Sequence, residues 1–279
     1  MSRVLLAGCG AIGMALGKAL LQEGFDVIGL RRSAVAAPFP ILNADFTQAL
    51  DPALFDQPIH YVVHTATPAE RSDAGYEQAY PNSVRRLLTA LEGHPIKRYF
   101  FVSSTAVYAQ DDGSWLDETS PTAPVAFNGI RMVEAEQIVL ASDVPGTCVR
   151  FGGIYSSNSR FLLRKVEQGC TVQVSPPRFT NRIHQDDCVG MLQFLLQRAE
   201  QGAALDSIYL GVDDDPASEE TVCTWLALQL GAPAPVGETA APEASRNKRC
   251  SNRRIRDLGY RFHYPDFRSG YGAILRQPD

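Results

Sequence analysis

Val4-Leu5-Leu6-Ala7-Gly8-Cys9-Gly10-Ala11-Ile12-Gly13 opens the chain with an uninterrupted apolar run that feeds three glycines. A run of that kind suits a parallel strand covered on both faces. From Ala11 to Glu23 apolar residues recur at helical spacing until Gly24, and Phe25-Asp26-Val27-Ile28-Gly29-Leu30 reads as a second strand. The stretch is therefore a β-α-β unit with a Gly-x-Gly-x-x-Gly turn between its first strand and its helix. In such a turn Gly8 permits the tight bend, Gly10 lets a pyrophosphate approach the backbone, and Gly13 lets the helix pack closely on the strand. The first amides of the helix, at Ala11, Ile12 and Gly13, lack intrahelical acceptors and sit at the positive end of its dipole. Together these residues imply a site for the phosphates of a dinucleotide.

The end of the second strand bears on which dinucleotide. An NAD site usually places Asp or Glu about 20 residues beyond the turn, where it accepts from the ribose hydroxyls. This chain has Arg31-Arg32-Ser33 instead. A guanidinium cannot accept a hydrogen bond but can clamp a 2′-phosphate, so Arg31 and Arg32 predict NADP in preference to NAD.

Working outward, Ile41-Leu42, Ile59 to Val63, a helix over Tyr76 to Leu91, Arg98 to Val102, a helix over Gly129 to Leu140 and Thr147 to Arg150 continue the alternation. Alternating strands and helices predict an α/β fold, a Rossmann-type doubly wound parallel sheet with right-handed crossovers. After Gly152-Gly153 the elements shorten: helices over Phe161 to Gln168, Asp187 to Gln197 and Glu219 to Leu230, and strands at Thr171 to Val174 and Ile208 to Leu210. The expected organisation is a dinucleotide-binding domain over 1–152 and a smaller, partly interleaved substrate-binding lobe over 153–279. Gly231 to Ala244, rich in Pro, Ala and Gly, reads as a surface loop.

Composition excludes several partners. The 279 residues are 45% hydrophobic and 20% charged, and their formal net charge of -5 gives no electrostatic footprint for nucleic acid. Arg246-Asn247-Lys248-Arg249 with Arg253, Arg254 and Arg256 is the main basic cluster and reads as a solvated, ion-paired face. The six cysteines show no Cys-x-x-Cys pairing and no His spacing that would suggest zinc, so no metal site is expected. The cysteines read as reduced thiols of a cytoplasmic protein. No stretch approaches the roughly 18 apolar residues of a membrane helix.

Four further segments now line up: His64-Thr65-Ala66, Ser103-Ser104-Thr105-Ala106-Val107-Tyr108, Arg150-Phe151-Gly152-Gly153-Ile154-Tyr155 and Arg182-Ile183-His184-Gln185-Asp186-Asp187. With the tail from Leu258-Gly259-Tyr260 to Tyr264-Pro265, they resemble the extended short-chain dehydrogenases/reductases, the NAD(P)-dependent epimerase/dehydratase family. The resemblance implies that Thr65 and Ala66 lie beside the cofactor and that Asp45 contacts adenine. It also implies that Ser104 and Thr105 meet the substrate, and that Tyr155 and Arg160 belong to a substrate loop over Gly153 to Arg160, with Arg160 facing an anionic group. Asp186 and Asp187 read as the start of a helix, where carboxylates favour the dipole.

The family's Tyr-x-x-x-Lys pair is absent. At the matching positions stand Phe127 and Arg131. Phenylalanine has no hydroxyl with which to donate or take a proton, while Arg131 keeps a positive charge near the ribose. Ser104, Tyr108 and Tyr155 are the nearby hydroxyls that could substitute. In this loss the chain resembles the atypical YeeZ-type branch of the family. The resemblance implies an oxidoreductase-like protein with a small polar or sugar-type substrate, or a dinucleotide-binding sensor or scaffold without turnover. It further implies a homodimer through the helices over Tyr76 to Leu91 and Gly129 to Leu140.

Overall fold

In the computed structural model, which describes residues 1–239 and 247–276, Val4, Leu5 and Leu6 have no exposed surface, as the continuous apolar run requires. They form β1 (Arg3–Ala7), followed by α1 (Ala11–Gln22), β2 (Asp26–Arg31), β3 (Ile41–Asn43) and β4 (Tyr61–His64). A long helical run comprises α2 (Asp73–Glu77), a π turn (Gln78–Asn82) and α3 (Ser83–Ala90). Next come β5 (Arg98–Ser104), a 3-10 turn (Thr105–Val107), the short β6 (Trp115–Leu116), α4 (Phe127–Ala141) and β7 (Gly146–Phe151). The remainder holds β8 (Gly153–Tyr155), α5 (Phe161–Glu167), β9 (Thr171–Ser175), β10 (Arg182–His184), α6 (Gln185–Glu200) and β11 (Ile208–Gly211). It ends with α7 (Glu219–Leu230), β12 (Val236–Thr239), β13 (Arg249–Cys250), α8 (Arg253–Asp257) and α9 (Phe267–Leu275).

The main sheet has seven strands in the order β11-β7-β5-β4-β1-β2-β3 and is mostly parallel, the doubly wound Rossmann-type α/β arrangement. β1 pairs with β2 through Leu6↔Gly29 and with β4 through Leu6↔Val63, so the strand order reverses on either side of β1. Such a switch point opens a crevice at the carboxyl ends of the strands, and there Gly8 follows β1 while Thr65 follows β4. Tyr61, Tyr99, Phe100 and Phe101 are fully buried on β4 and β5, each stabilising the fold by about 1.5–3 kcal/mol.

The described chain forms two compact units. One takes Met1–Tyr108, Thr122–Arg150 and Val189–Tyr209; the other takes Ala109–Pro121, Phe151–Cys188 and Leu210–Asp279. The second unit has a core of its own, in which Val166, Val222, Cys223, Leu226 and Phe267 are almost wholly buried.

Local signals explain most boundaries. α7 starts at Ser218, whose hydroxyl accepts from the Thr221 amide at 3.1 Å, carries Glu219 and Glu220 in its first turn, and stops at Gly231 with φ of 62°. The helix expected from Tyr76 begins earlier, at Asp73, because Ser72 caps it, and it widens into a π turn around Pro81, which lacks an amide hydrogen. The expected loop over Gly231 to Ala244 contains β12, paired in parallel with β9 through Val236↔Thr171. All four β12 residues are exposed, so no apolar alternation marked them. The rest of that stretch and Arg246 of the basic cluster lie outside the described residues. Among the described residues no helix is long and apolar enough to cross a membrane, no group of three or more His, Cys, Asp or Glu is placed to hold a metal ion, and no disulfide forms.

Candidate functional site

The glycine turn is shaped by what surrounds it. Gly8 has φ of 98°, and a Cβ there would lie 2.6 Å from the Ala66 backbone nitrogen, so only glycine fits. Thr65 braces the same turn: its amide donates to the Ala7 carbonyl at 2.8 Å and its hydroxyl to the Gly8 carbonyl. A Cβ on Gly13 would overlap the Gly8 carbonyl oxygen, which is the close helix-to-strand packing the spacing predicts. Gly10 is the opposite case, with no atom within 4 Å of where its Cβ would be. Cys9 points inward, where its Sγ occupies the space that a Cβ on Gly29 would need, and burial pushes its thiol up.

α1 begins without a side-chain cap and without an acidic residue in its first turn. The amide of Met14 is the first to reach a helical acceptor, the Gly10 carbonyl at 2.9 Å. The amides of Ala11, Ile12 and Gly13 are thus left to an external acceptor beside the open face of Gly10. Arg31 reaches back over this turn, donating from Nη1 to the Cys9 carbonyl at 3.1 Å and from Nη2 to Ser33 Oγ at 3.4 Å. Arg32 is exposed, and none of the described residues pairs with its guanidinium. Asp45 closes a local turn, accepting from the amide and hydroxyl of Thr47 at 3.0 and 2.6 Å. An uncapped helix start, a glycine with open space above it and a flanking guanidinium have the donor set and the room that a dinucleotide phosphate requires.

Beside this turn, His64 is buried and hydrogen-bonded to Tyr99 Oη at 2.8 Å; burial pushes its imidazole down to about 3. It is a neutral packing group.

The second part of the site gathers at the carboxyl end of β5. Ser104 Oγ accepts from the Ala106 amide at 3.2 Å, initiating the 3-10 turn that carries Thr105 and leaving the serine's own proton to donate. A Cβ on Gly129 would lie 2.5 Å from the Ala106 carbonyl oxygen, so the first turn of α4 rests directly on that 3-10 turn. Phe127 opens α4 with its ring half-buried, meeting Tyr76 edge to face at 5.4 Å between centroids. Arg131, expected to bring charge to a ribose, instead faces three carboxylates, with Glu77 the farthest at 3.9 Å. Its Nε and Nη2 donate to the two oxygens of Asp73 at 2.7 and 2.9 Å, and its Nη1 to Glu134 at 3.0 Å. The guanidinium holds the Asp73 carboxyl below the usual carboxylate range. Serving a ribose would require Arg131 to give up one of these partners.

Sequence reasoning missed the buried polar cluster behind these residues. Arg150 donates to both oxygens of Glu136 at 2.9 and 2.6 Å, Ser103 donates to Glu136 at 2.5 Å, and Arg150 Nη1 donates to Tyr108 Oη at 2.7 Å. The Tyr108 hydroxyl, one of the substitutes considered above, is therefore engaged. The available signal was Glu136 itself, a carboxylate on the same stripe of α4 as the buried Met132, Ala135 and Val139.

Within the second unit, Tyr155 stacks on Tyr271 at 4.4 Å and meets His184 edge-on at 5.2 Å. Its buried hydroxyl has no hydrogen-bond partner among the described residues. Arg160 stands at the start of α5. Asp187, read as a helix-start signal, does more: fully buried, it accepts from Tyr260 Oη at 2.9 Å and from the amides of His263 and Tyr264 at 2.7 and 2.9 Å, tying down the C-terminal segment. Asp213 was not singled out as a site residue. Desolvation pushes its carboxyl up to about 8, and Oδ2 has no partner among the described residues.

Comparison with known proteins gives a consistent picture. Residues 4–206 match the family model described as the NAD dependent epimerase/dehydratase family. Protein YeeZ of Escherichia coli strain K12 is 26% identical over 285 residues, covering 95% of this chain and 97% of that protein. A 3-diazoavenalumate denitrifying reductase from a Streptomyces species is also 26% identical, covering 97% and 99% of the two chains. A solved structure described as an NAD-dependent epimerase/dehydratase from Methylobacillus flagellatus is 34% identical, covers 98% of this chain and 97% of its own, and has a TM-score of 0.82.

Proposed function

Because the chain belongs to the NAD-dependent epimerase/dehydratase family, we propose that it is a nicotinamide-dinucleotide oxidoreductase for a small polar or sugar-type substrate, preferring NADP(H) to NAD(H). The observation that carries this reading is the turn itself, where Gly10 is open while Gly8 and Gly13 are closed against the backbone. The amides of Ala11, Ile12 and Gly13 would hold the pyrophosphate, and Thr65 and Ala66 keep the turn in shape for it. Arg31 and Arg32 would clamp the 2′-phosphate, since their charge and planar donors match a phosphate and they cannot accept from a ribose hydroxyl as a carboxylate does. Asp45 would face the adenine end. When bound, the cofactor would supply hydride exchange at its nicotinamide ring. Ser104 and Thr105 would orient a substrate oxygen, with Tyr155 and Arg160 contributing to substrate recognition.

The test is calorimetric titration of the purified chain with NADPH and NADH. NADPH binding at least about tenfold tighter is expected, a preference that Arg31→Ala removes. Equal or tighter NADH binding overturns the preference, and binding of neither overturns the reading.

Phe127 supports a second reading, a dinucleotide sensor without turnover. Silence of the wild type on a broad carbonyl panel, with activity gained by a Phe127→Tyr, Arg131→Lys double variant, would favour it.

A further inference from the structure

Phe127 leaves a gap in the chemistry but not in the packing. Asp73 and Tyr76 are three residues apart on α2 and so share a helix face. Arg131 grips that face from α4 through both oxygens of Asp73. The grip brings Tyr76 against the Phe127 ring at 5.4 Å with an interplanar angle of 86°. Behind it, Tyr80 meets Tyr76 at 5.4 Å and Phe101 of β5 at 6.1 Å, a series of edge-to-face contacts that roots the tyrosine in the sheet.

We propose that Tyr76 supplies the hydroxyl that Phe127 lacks, its Oη holding the proton exchanged with the substrate's oxygen. The proposal rests on the dinucleotide-dependent reading above. Tyr76 is half-buried, and none of the described residues hydrogen-bonds its hydroxyl. The competing hydroxyls in this unit are less suited. Tyr108 is engaged by Arg150, Tyr80 is buried with its phenol pushed well up by desolvation, and a serine such as Ser104 does not titrate usefully. The arrangement takes its hydroxyl from α2, held in place by the grip of Arg131 from α4 on Asp73. In the reductive direction, the Oη–H bond of Tyr76 would break and its proton pass to a carbonyl oxygen of the substrate, the reduced dinucleotide, when bound, supplying the hydride to the carbonyl carbon. The phenolate then regains a proton from water, and the products are an alcohol and the oxidised dinucleotide.

The experiment is nitration of the intact chain with tetranitromethane, quantified at Tyr76 by peptide mass spectrometry in three states: free, saturated with NADP⁺, and saturated with 2′,5′-ADP, which lacks the nicotinamide half. Tyr76 should nitrate readily in the free chain, about tenfold more slowly with NADP⁺, and at the free rate with 2′,5′-ADP. Unchanged nitration under NADP⁺ whose binding calorimetry has confirmed, or equal protection by 2′,5′-ADP, overturns the proposal and leaves the dinucleotide reading intact. Absence of NADP⁺ binding overturns that reading and the proposal with it. Tyr76→Phe should keep its NADP⁺ affinity within about threefold, because the hydroxyl serves the reacting atoms; a loss beyond about tenfold would mark a structural role and count against the proposal.

Discussion

Arg150 grips both carboxylate oxygens of Glu136 at 2.6 and 2.9 Å while each side chain is only 4% exposed. Two charges are thus held out of water, tying α4 to β7, and Ser103 adds β5 to the same cluster. Removing one partner leaves the other as an uncompensated buried charge, which typically costs about 3–5 kcal/mol. Glu136→Met and Arg150→Met should each lower the denaturation midpoint strongly, whereas the double variant Glu136→Met, Arg150→Met should recover much of the loss. Additive losses in that double-mutant cycle would refute the coupling.

The turn glycines should separate fold from binding. Gly8→Ala places a Cβ against Ala66 at a positive φ and should destabilise the chain by more than about 1 kcal/mol. Gly10→Ala meets nothing within 4 Å, so the melting temperature should hardly move while NADP⁺ affinity drops by about tenfold or more. A Gly10→Ala variant that binds NADP⁺ as the wild type does would argue against a phosphate on that face.

Asp213 gives the pH dependence. Its folded carboxyl is pushed up to about 8 by desolvation, well above the roughly 3.9 of an unfolded aspartate. Between those values the folded chain holds a proton that the unfolded chain has lost, so this group's contribution to stability falls as pH rises from about 4 to about 8 and levels off above. Asp213→Asn keeps the neutral shape at every pH and should remove that part of the slope. Melting temperatures of the two proteins should therefore diverge toward alkaline pH in favour of the variant. Parallel curves across the range would contradict the assignment.

The parts of this molecule that were legible in the sequence are those fixed by short-range physics. The spacing of Gly8, Gly10 and Gly13 follows from backbone sterics within one turn, and the buried strand β1 from consecutive apolar residues. Arg31 ends β2, and its Nη1 returns to the Cys9 carbonyl of that turn. What escaped depends on elements distant along the chain. Arg131 finds Asp73 across 58 residues of sequence, and the closeness of Tyr76 to Phe127 is set by how α2 packs on α4. β12 escaped for a different reason: an exposed strand carries no burial pattern, and its pairing with β9 is made by backbone groups common to every residue.

The Asp73–Arg131 pair yields a last prediction, because it separates a structural grip from a cofactor contact. Arg131 is 22% and Asp73 55% exposed, and pairs so open to water are worth at most about 1 kcal/mol. Arg131→Ala should therefore leave the melting temperature nearly unchanged. If the guanidinium stays on Asp73 and Glu134, NADP⁺ affinity should also be unchanged within about threefold. Its loss should appear at Tyr76, whose helix α2 is released from α4, as faster nitration in the free chain and weaker protection by NADP⁺. A fall in NADP⁺ affinity of more than about tenfold would show the opposite, that Arg131 exchanges Asp73 for the bound dinucleotide. Asp73→Asn decides between these outcomes independently: it loosens the same grip but keeps the cation, so it should reproduce the nitration change without weakening NADP⁺ if the pair is a clamp, and tighten NADP⁺ if Asp73 competes with the ribose for Arg131.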